Sequence, residues 1–283
     1  MSGEILGKIR GWLETEGYPL EMRVAKAFRE AKFEVSSSEY YVDPEHQKVR
    51  EIDVMASMGA TINKVHFWIL FVIECKSSKR SPWVCFSSGH DPEWDASLGF
   101  PARISTNEGK ELLREIYADR ELVSRGLFEL PTSHAYAVVN ALIGERTKEG
   151  NPKGRIDLPY AAIEGARSAA NAIVSHYDKR QSHPNKVQVV CIAFPVVVVG
   201  APLFRCTLGG KGEVEIEPTF YQTILRTGYD TYFSAIEIVA DSYLAEFVRE
   251  KTGLIGKFLE WLPGNIPKTM RILEVRNLTS DDE

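Results

Sequence analysis

The sequence lacks the features that would place it in a membrane, a secreted scaffold or a zinc domain. No apolar run among its 283 residues reaches the roughly 20 that cross a bilayer. Met1-Ser2-Gly3-Glu4 holds no basic stretch leading into an apolar block, so no secretory leader is expected. Cysteine is scarce: Cys75, Cys85, Cys191 and Cys206, with no close Cys-x-x-Cys pair. That spacing speaks against zinc and for reduced core thiols, and so predicts a cytoplasmic chain. Positive charge is also short, with 34 Lys and Arg against 39 Asp and Glu and a net charge of −5. This argues against a tight, nonspecific DNA-coating protein, because phosphate contact needs cations. It does not argue against a metal-dependent nuclease, since its site is itself acidic. There is no internal repeat and no linker long enough to force two domains. Residues 1–283 are therefore read as one domain, with a core over about 17–200 and an elaboration over about 201–283.

What is present centres on His66 to Lys76. Seven of the eight residues from Trp68 to Cys75 are apolar, broken only by Glu74. Such a run, rich in aromatic and β-branched residues, predicts a strand buried on both faces. Side chains alternate along a strand, so Glu74 and Lys76 share the side of Trp68, Leu70 and Val72. Charges at the end of a dry strand are costly unless something there uses them. Upstream, Arg50 to Ala56 reads as a second strand with Asp53 in its interior, where aspartate is normally depleted. If the strands are neighbours, Asp53 lies beside Glu74 and Lys76. Two adjacent carboxylates repel, and a divalent cation removes that repulsion. Carboxylate oxygens, completed by water and a substrate phosphate, suit Mg²⁺. A nearby lysine supplies the charge to hold or help activate an attacking water.

Asp53 followed by Glu74-Cys75-Lys76, twenty-one positions on, resembles the Asp…Glu-x-Lys signature of the PD-(D/E)XK nucleases, the restriction-endonuclease-like superfamily. Ile52 stands where the literal motif has proline. The resemblance implies an α/β fold with an αβββαβ core, its mixed central sheet flanked by helices. It implies that Asp53, Glu74 and the backbone carbonyl of Cys75 bind Mg²⁺, with Mn²⁺ able to substitute, and that Lys76 positions or activates water. It also implies a glutamate on the helix before the first core strand. Glu21 holds that place in order, and would reach the metal or its water.

The rest of the chain is read around this core. Ile5, Ile9, Trp12 and Leu13 make a short amphipathic helix up to about Gly17. Pro19 opens a stronger helix, with Leu20, Val24, Ala27, Phe28 and Ala31 on its core face. A strand follows from Phe33 to Tyr40 or Tyr41. Ser77 to Trp83 is a loop leaving the site, in which Lys79 and Arg80 are candidate phosphate contacts and Trp83 a candidate base-stacking ring. Glu108 to Phe128 is helical by pattern, and Ser133 to Leu142 is taken as the next sheet strand after the crossover. Gly144 to Arg155 is a polar loop that offers Arg146 and Lys148 to phosphates. Leu158 to Tyr177 reads as a helix. The strand from Val187 to Val199 is expected to bend or change partner at Pro195. A β-hairpin around Gly209 to Gly212, a strand over Tyr232 to Val239 and a helix from Asp241 to Lys251 complete the chain.

The expected function is Mg²⁺-dependent hydrolysis of phosphodiester bonds in DNA. The resemblance implies 5′-phosphate and 3′-hydroxyl ends, with genome defence or repair suggested only by family association. The partner is nucleic acid, with a homodimer or a directing protein as further expectations. An inactive nuclease-fold binding subunit and an RNA-cleaving nuclease are the alternatives. No sequence-reading module is evident.

Overall fold

A computed structural model describes residues 2–77, 81–87, 99–100, 102–118, 134–141, 158–180, 188–227 and 233–265, and every structural statement below concerns these. The chain is an α/β protein with five α-helices and a large mixed sheet. In order, the elements begin with α1 (Ser2–Glu16), α2 (Tyr18–Glu30), β1 (Glu34–Val42), β2 (Val49–Ile62) and β3 (Val65–Lys76). Then come β4 (Trp83–Ser87), β5 (Gly99–Phe100), β6 (Arg103–Ile104), α3 (Asn107–Ala118), β7 (Ala135–Asn140) and α4 (Leu158–Arg180). The last are β8 (Gln188–Val199), β9 (Leu203–Leu208), β10 (Val214–Thr219), β11 (Tyr221–Thr227), β12 (Phe233–Ala240) and α5 (Leu244–Asn265). Strands lie side by side in the order β1-β2-β3-β8-β12-β11-β7-β4-β9-β10, with β5 beside β12 and β6 beside β8.

The helix-strand-strand-strand opening is present as expected in α2-β1-β2-β3. β2 runs six residues past Ala56 and β3 begins three before Trp68, because they form one long antiparallel hairpin paired from Ile62↔Val65 down to Val54↔Ile73. Its two-residue turn is Asn63-Lys64, with φ of 50° and 65°. Left-handed conformation at both central residues matches the right-handed twist of the flanking strands, as in a type I′ turn.

β3 is central and dry. Its odd-numbered side chains, Phe67, Ile69, Phe71 and Ile73, enter the core beneath α2, α3 and α5. Its even-numbered Leu70 and Val72 pack under α4 against Ala169, Ala170 and Val174. The small residues of α4 let it lie close to the sheet.

The crossover differs from expectation. β3 pairs in parallel with β8 over its full length, Val65↔Gln188 to Lys76↔Val199, and α4 is the helix directly before β8. β7, taken as the next strand, lies across the sheet between β11 and β4. Its six residues are too few to match the twelve of β3, whereas β8 matches them all. Pro195 marks a change of partner. The outer side of β8 pairs with β6 at Ile192 and Ala193, and with β12 only from Val196 onward. A residue without an N–H sits between two partners and costs neither ladder a bond.

β4 and β11 fall in stretches for which no strand was expected. The β9–β10 hairpin is as expected, paired from Leu208↔Val214 to Leu203↔Thr219. All four cysteines are free and buried. No described helix is long and apolar enough to cross a membrane.

Candidate active site at the splayed end of β2 and β3

The β2–β3 ladder stops at Val54↔Ile73. The next rung is made by a side chain, since the Cys75 N–H donates to Asp53 Oδ2 at 2.7 Å. Opposite Asp53, β1 carries an irregularity at Ser38, which has a φ of 57° and is skipped in an otherwise constant register. Face alternation breaks there. Ile52 packs toward α4 and Val54 toward α2, so Asp53 points into the gap between the strands.

The remaining groups converge on this gap from both faces. Glu74 lies on the α4 side and is 9% exposed. The Lys76 ammonium touches Glu74 Oε2 at 2.8 Å and stands 3.7 Å from Asp53 Oδ2, so one cation bridges two carboxylates. Glu21, in the first turn of α2, comes from the other face. It senses Asp53, Glu51 and Lys76 electrostatically. In an extended strand the N–H and C=O of one residue point to the same side. The Cys75 N–H reaches Asp53, whereas the Lys76 carbonyl accepts from Gly200 N–H on the β8 side. The Cys75 carbonyl therefore faces the same opening as the Asp53 carboxylate.

Electrostatics follow from burial and crowding. Burial pushes the Glu74 carboxyl up to about 7, and Asp53 adds to the rise while Lys76 and Arg50 oppose it. Burial, then the negative charges of Asp53 and Glu51, raises Glu21. Burial alone would lower Lys76, but Glu74 and Asp53 outweigh it and hold the ammonium above its ordinary value. Lys76 thus stays charged at neutral pH. It is a donor and a positive charge, not a resting base. Burial likewise raises the Cys75 thiol well above its ordinary value, so this residue contributes backbone rather than sulfur.

Three participants escaped the sequence reading. Glu51, two residues before Asp53, adds a carboxylate on the α2 side; strand periodicity alone could have flagged it. Arg50 faces Glu74 from β2 and is held by Asp43, whose Oδ2 lies 2.7 Å from Arg50 Nε. Asp43 is fully buried and ties down the β1–β2 turn. Burial would raise its pKa, but hydrogen bonds from the Glu45 and His46 N–H groups and the His46 side chain hold it at about 2. Gly165 of α4 is the third. A Cβ there would lie 2.9 Å from Glu74 Oε1 and 3.1 Å from its Cδ, so the missing methyl is the room Glu74 occupies. No sequence pattern pairs residue 165 with residue 74.

One predicted contact is overturned. Trp83 is fully buried, packed with Ala162, Ile163 and Ala166 of α4, and cannot stack on a base. As the first residue of β4 it anchors that strand beside β7 and β9 rather than ending a surface loop. Lys79, Arg80, Arg146 and Lys148 lie outside the described residues.

Among the described residues, no group of three or more His, Cys, Asp or Glu side chains is gathered closely enough to hold a metal ion. Two carboxylates and a carbonyl at one opening nevertheless fit the all-oxygen, partly hydrated shell that Mg²⁺ accepts. No family model, curated protein or solved structure matches this chain.

Proposed function

We propose that this protein hydrolyses phosphodiester bonds in DNA, with Mg²⁺ as cofactor and the resemblance to PD-(D/E)XK nucleases as its family context. The observation that carries the reading is the Lys76 ammonium in reach of both the Asp53 and Glu74 carboxylates at a strand end where the ladder has opened. Asp53, Glu74 and the Cys75 carbonyl would hold the cation, which supplies Lewis-acid stabilisation of charge on the phosphate. Lys76 would hold the attacking water and the phosphate oxygen in line. Glu21, in the first turn of α2, would orient that water. Arg50 lowers the cost of keeping Glu74 ionised.

The test is cleavage of supercoiled and linear DNA in Mg²⁺ by the wild type, Asp53→Asn, Glu74→Gln and Lys76→Ala. Each variant should lose at least about 100-fold in rate, the scale of removing one preorganised charge-stabilising group. Asparagine is chosen at residue 53 because it still accepts from the Cys75 N–H. Full activity in all three purified variants would remove the assignment. The Lys76 ammonium already pairs with both carboxylates without a metal, which favours a second reading, an inactive nuclease-fold binding subunit. Calorimetric titration with Mn²⁺ separates the two: heat that disappears in Asp53→Asn supports the enzyme, and none in the wild type supports the binding subunit.

A further inference from the structure

Among the described residues, the candidate site has little cationic surface. Besides Lys76 and Arg50, its described rim is acidic, with Glu21 and Glu51, and Arg50 is already paired to Asp43. A nucleic-acid strand at such a rim gains from a contact that does not depend on charge. The rim has exposed aromatic rings where Trp83 offers none. Tyr18 stands one helical turn before Glu21 in α2 and is 47% exposed. Trp12 of α1 is 54% exposed, its ring centroid 5.9 Å from that of Tyr18 with the planes at 44°. The elbow between α1 and α2 brings the two rings together. Gly17 there has a φ of 90°, and a Cβ on it would lie 3.5 Å from the Cβ of Ser77, the residue after Lys76. The aromatic pair is therefore anchored at the end of β3 that carries the site. A third ring, Tyr40, lies on β1, across β2 from β3; it is 69% exposed and paired in register with Glu51.

We infer that the strand entering this site is unpaired, and that its bases stack on Trp12, Tyr18 and Tyr40. Stacking suits an acidic rim because every base offers a π-face whatever the sequence. Bases within a duplex are already stacked and closed to these rings, so the substrate class is single-stranded DNA or a single-stranded segment at a junction or flap. This inference rests on the nuclease reading above, which it narrows.

The experiment titrates the full chain in EDTA, where no cleavage occurs, into a 2-aminopurine-labelled single-stranded 12-mer and into the corresponding duplex. Wild type is expected to quench the single strand. Trp12→Ala, Tyr18→Ala and Tyr40→Ala should each weaken its binding on the order of tenfold, leave duplex binding within about twofold, and keep the wild-type circular dichroism. Trp12→Phe should retain most of the affinity. Unchanged single-strand binding in all three alanine variants overturns the inference. So does a wild-type dimer in light scattering that Trp12→Ala dissociates, because the patch would then be covered by a second copy. If Mg²⁺-dependent cleavage persists in variants whose oligonucleotide binding is unchanged, the stacking platform falls and the nuclease stands. If the rings bind single strands but the wild type never cleaves, the nuclease falls instead.

Discussion

At the scale of single residues, Glu74 offers a titration with a defined sign. Folded, it keeps its proton to about 7; its ordinary value is 4.5. Between these two values the folded state binds the extra proton, so raising the pH favours unfolding. In metal-free buffer the unfolding free energy should fall across that window, by no more than about 3 kcal/mol. Glu74→Gln should flatten this limb, as read from denaturant midpoints against pH; an unchanged slope would assign it to another group. Gly165→Ala is a second residue-scale prediction. Alanine improves helix propensity by about 1 kcal/mol, but its methyl collides with the Glu74 carboxylate. Thermal stability should change by no more than a few degrees while DNA cleavage falls about tenfold or more, as expected when a reacting group is displaced by a fraction of an ångström. Full activity in this variant would show that Glu74 need not sit where it does.

At the scale of elements, the sequence was most informative where one physical pattern dominated. The apolar run of β3, the stripe of α2 and the Gly-rich turn of β9–β10 are each visible in a short window. Pro195 announced a change of partner because its missing N–H forbids an ordinary ladder. What could not be read was pairing at a distance. Nothing in the residues of β7 says that it lies far from β3, and the match between β3 and β8 is one of length and register across more than a hundred residues. The site was legible in the same uneven way. Asp53, Glu74 and Lys76 stand in two adjoining strands and were found together, whereas Gly165 reaches Glu74 only through the packing of α4. Trp83 reads as a surface residue, not the core residue it is, because β4 sits in a Ser-rich, Pro-containing context that reads as loop. The hairpin turn supplies an element-scale prediction. Lys64 pays the left-handed penalty that glycine avoids, so Lys64→Gly should stabilise the protein by about 1 kcal/mol, seen as a raised melting temperature. A lowered one would mean that the lysine side chain supports the turn in some other way.

At the scale of the whole molecule, the helices over one face are tied together by few polar contacts. Arg23 of α2 donates to both oxygens of Asp241 in the turn leading into α5, from Nε to Oδ1 at 3.2 Å and from Nη2 to Oδ2 at 2.6 Å. The arginine is half-exposed, so the pair is screened by water. A double-mutant cycle on Arg23→Ala and Asp241→Ala should give a coupling of no more than about 1 kcal/mol. A value several times larger would mean that this contact, rather than the apolar packing of Phe28, Phe71 and Phe247, holds α2 to α5.

The partner change at Pro195 has a further consequence for how the molecule comes apart. On its β3 side β8 is joined without interruption, while on the other side two separate strands each hold a short piece of it. Peeling β12 away would bare only Val196 to Val199, leaving β1, β2, β3 and β8 as one intact raft with Asp53, Glu74 and Lys76 aboard. Amide deuteration should then proceed in two waves, β12 early and β3 late. The chemistry would outlast the loosening of the sheet's far wing, as a keel outlasts its planking.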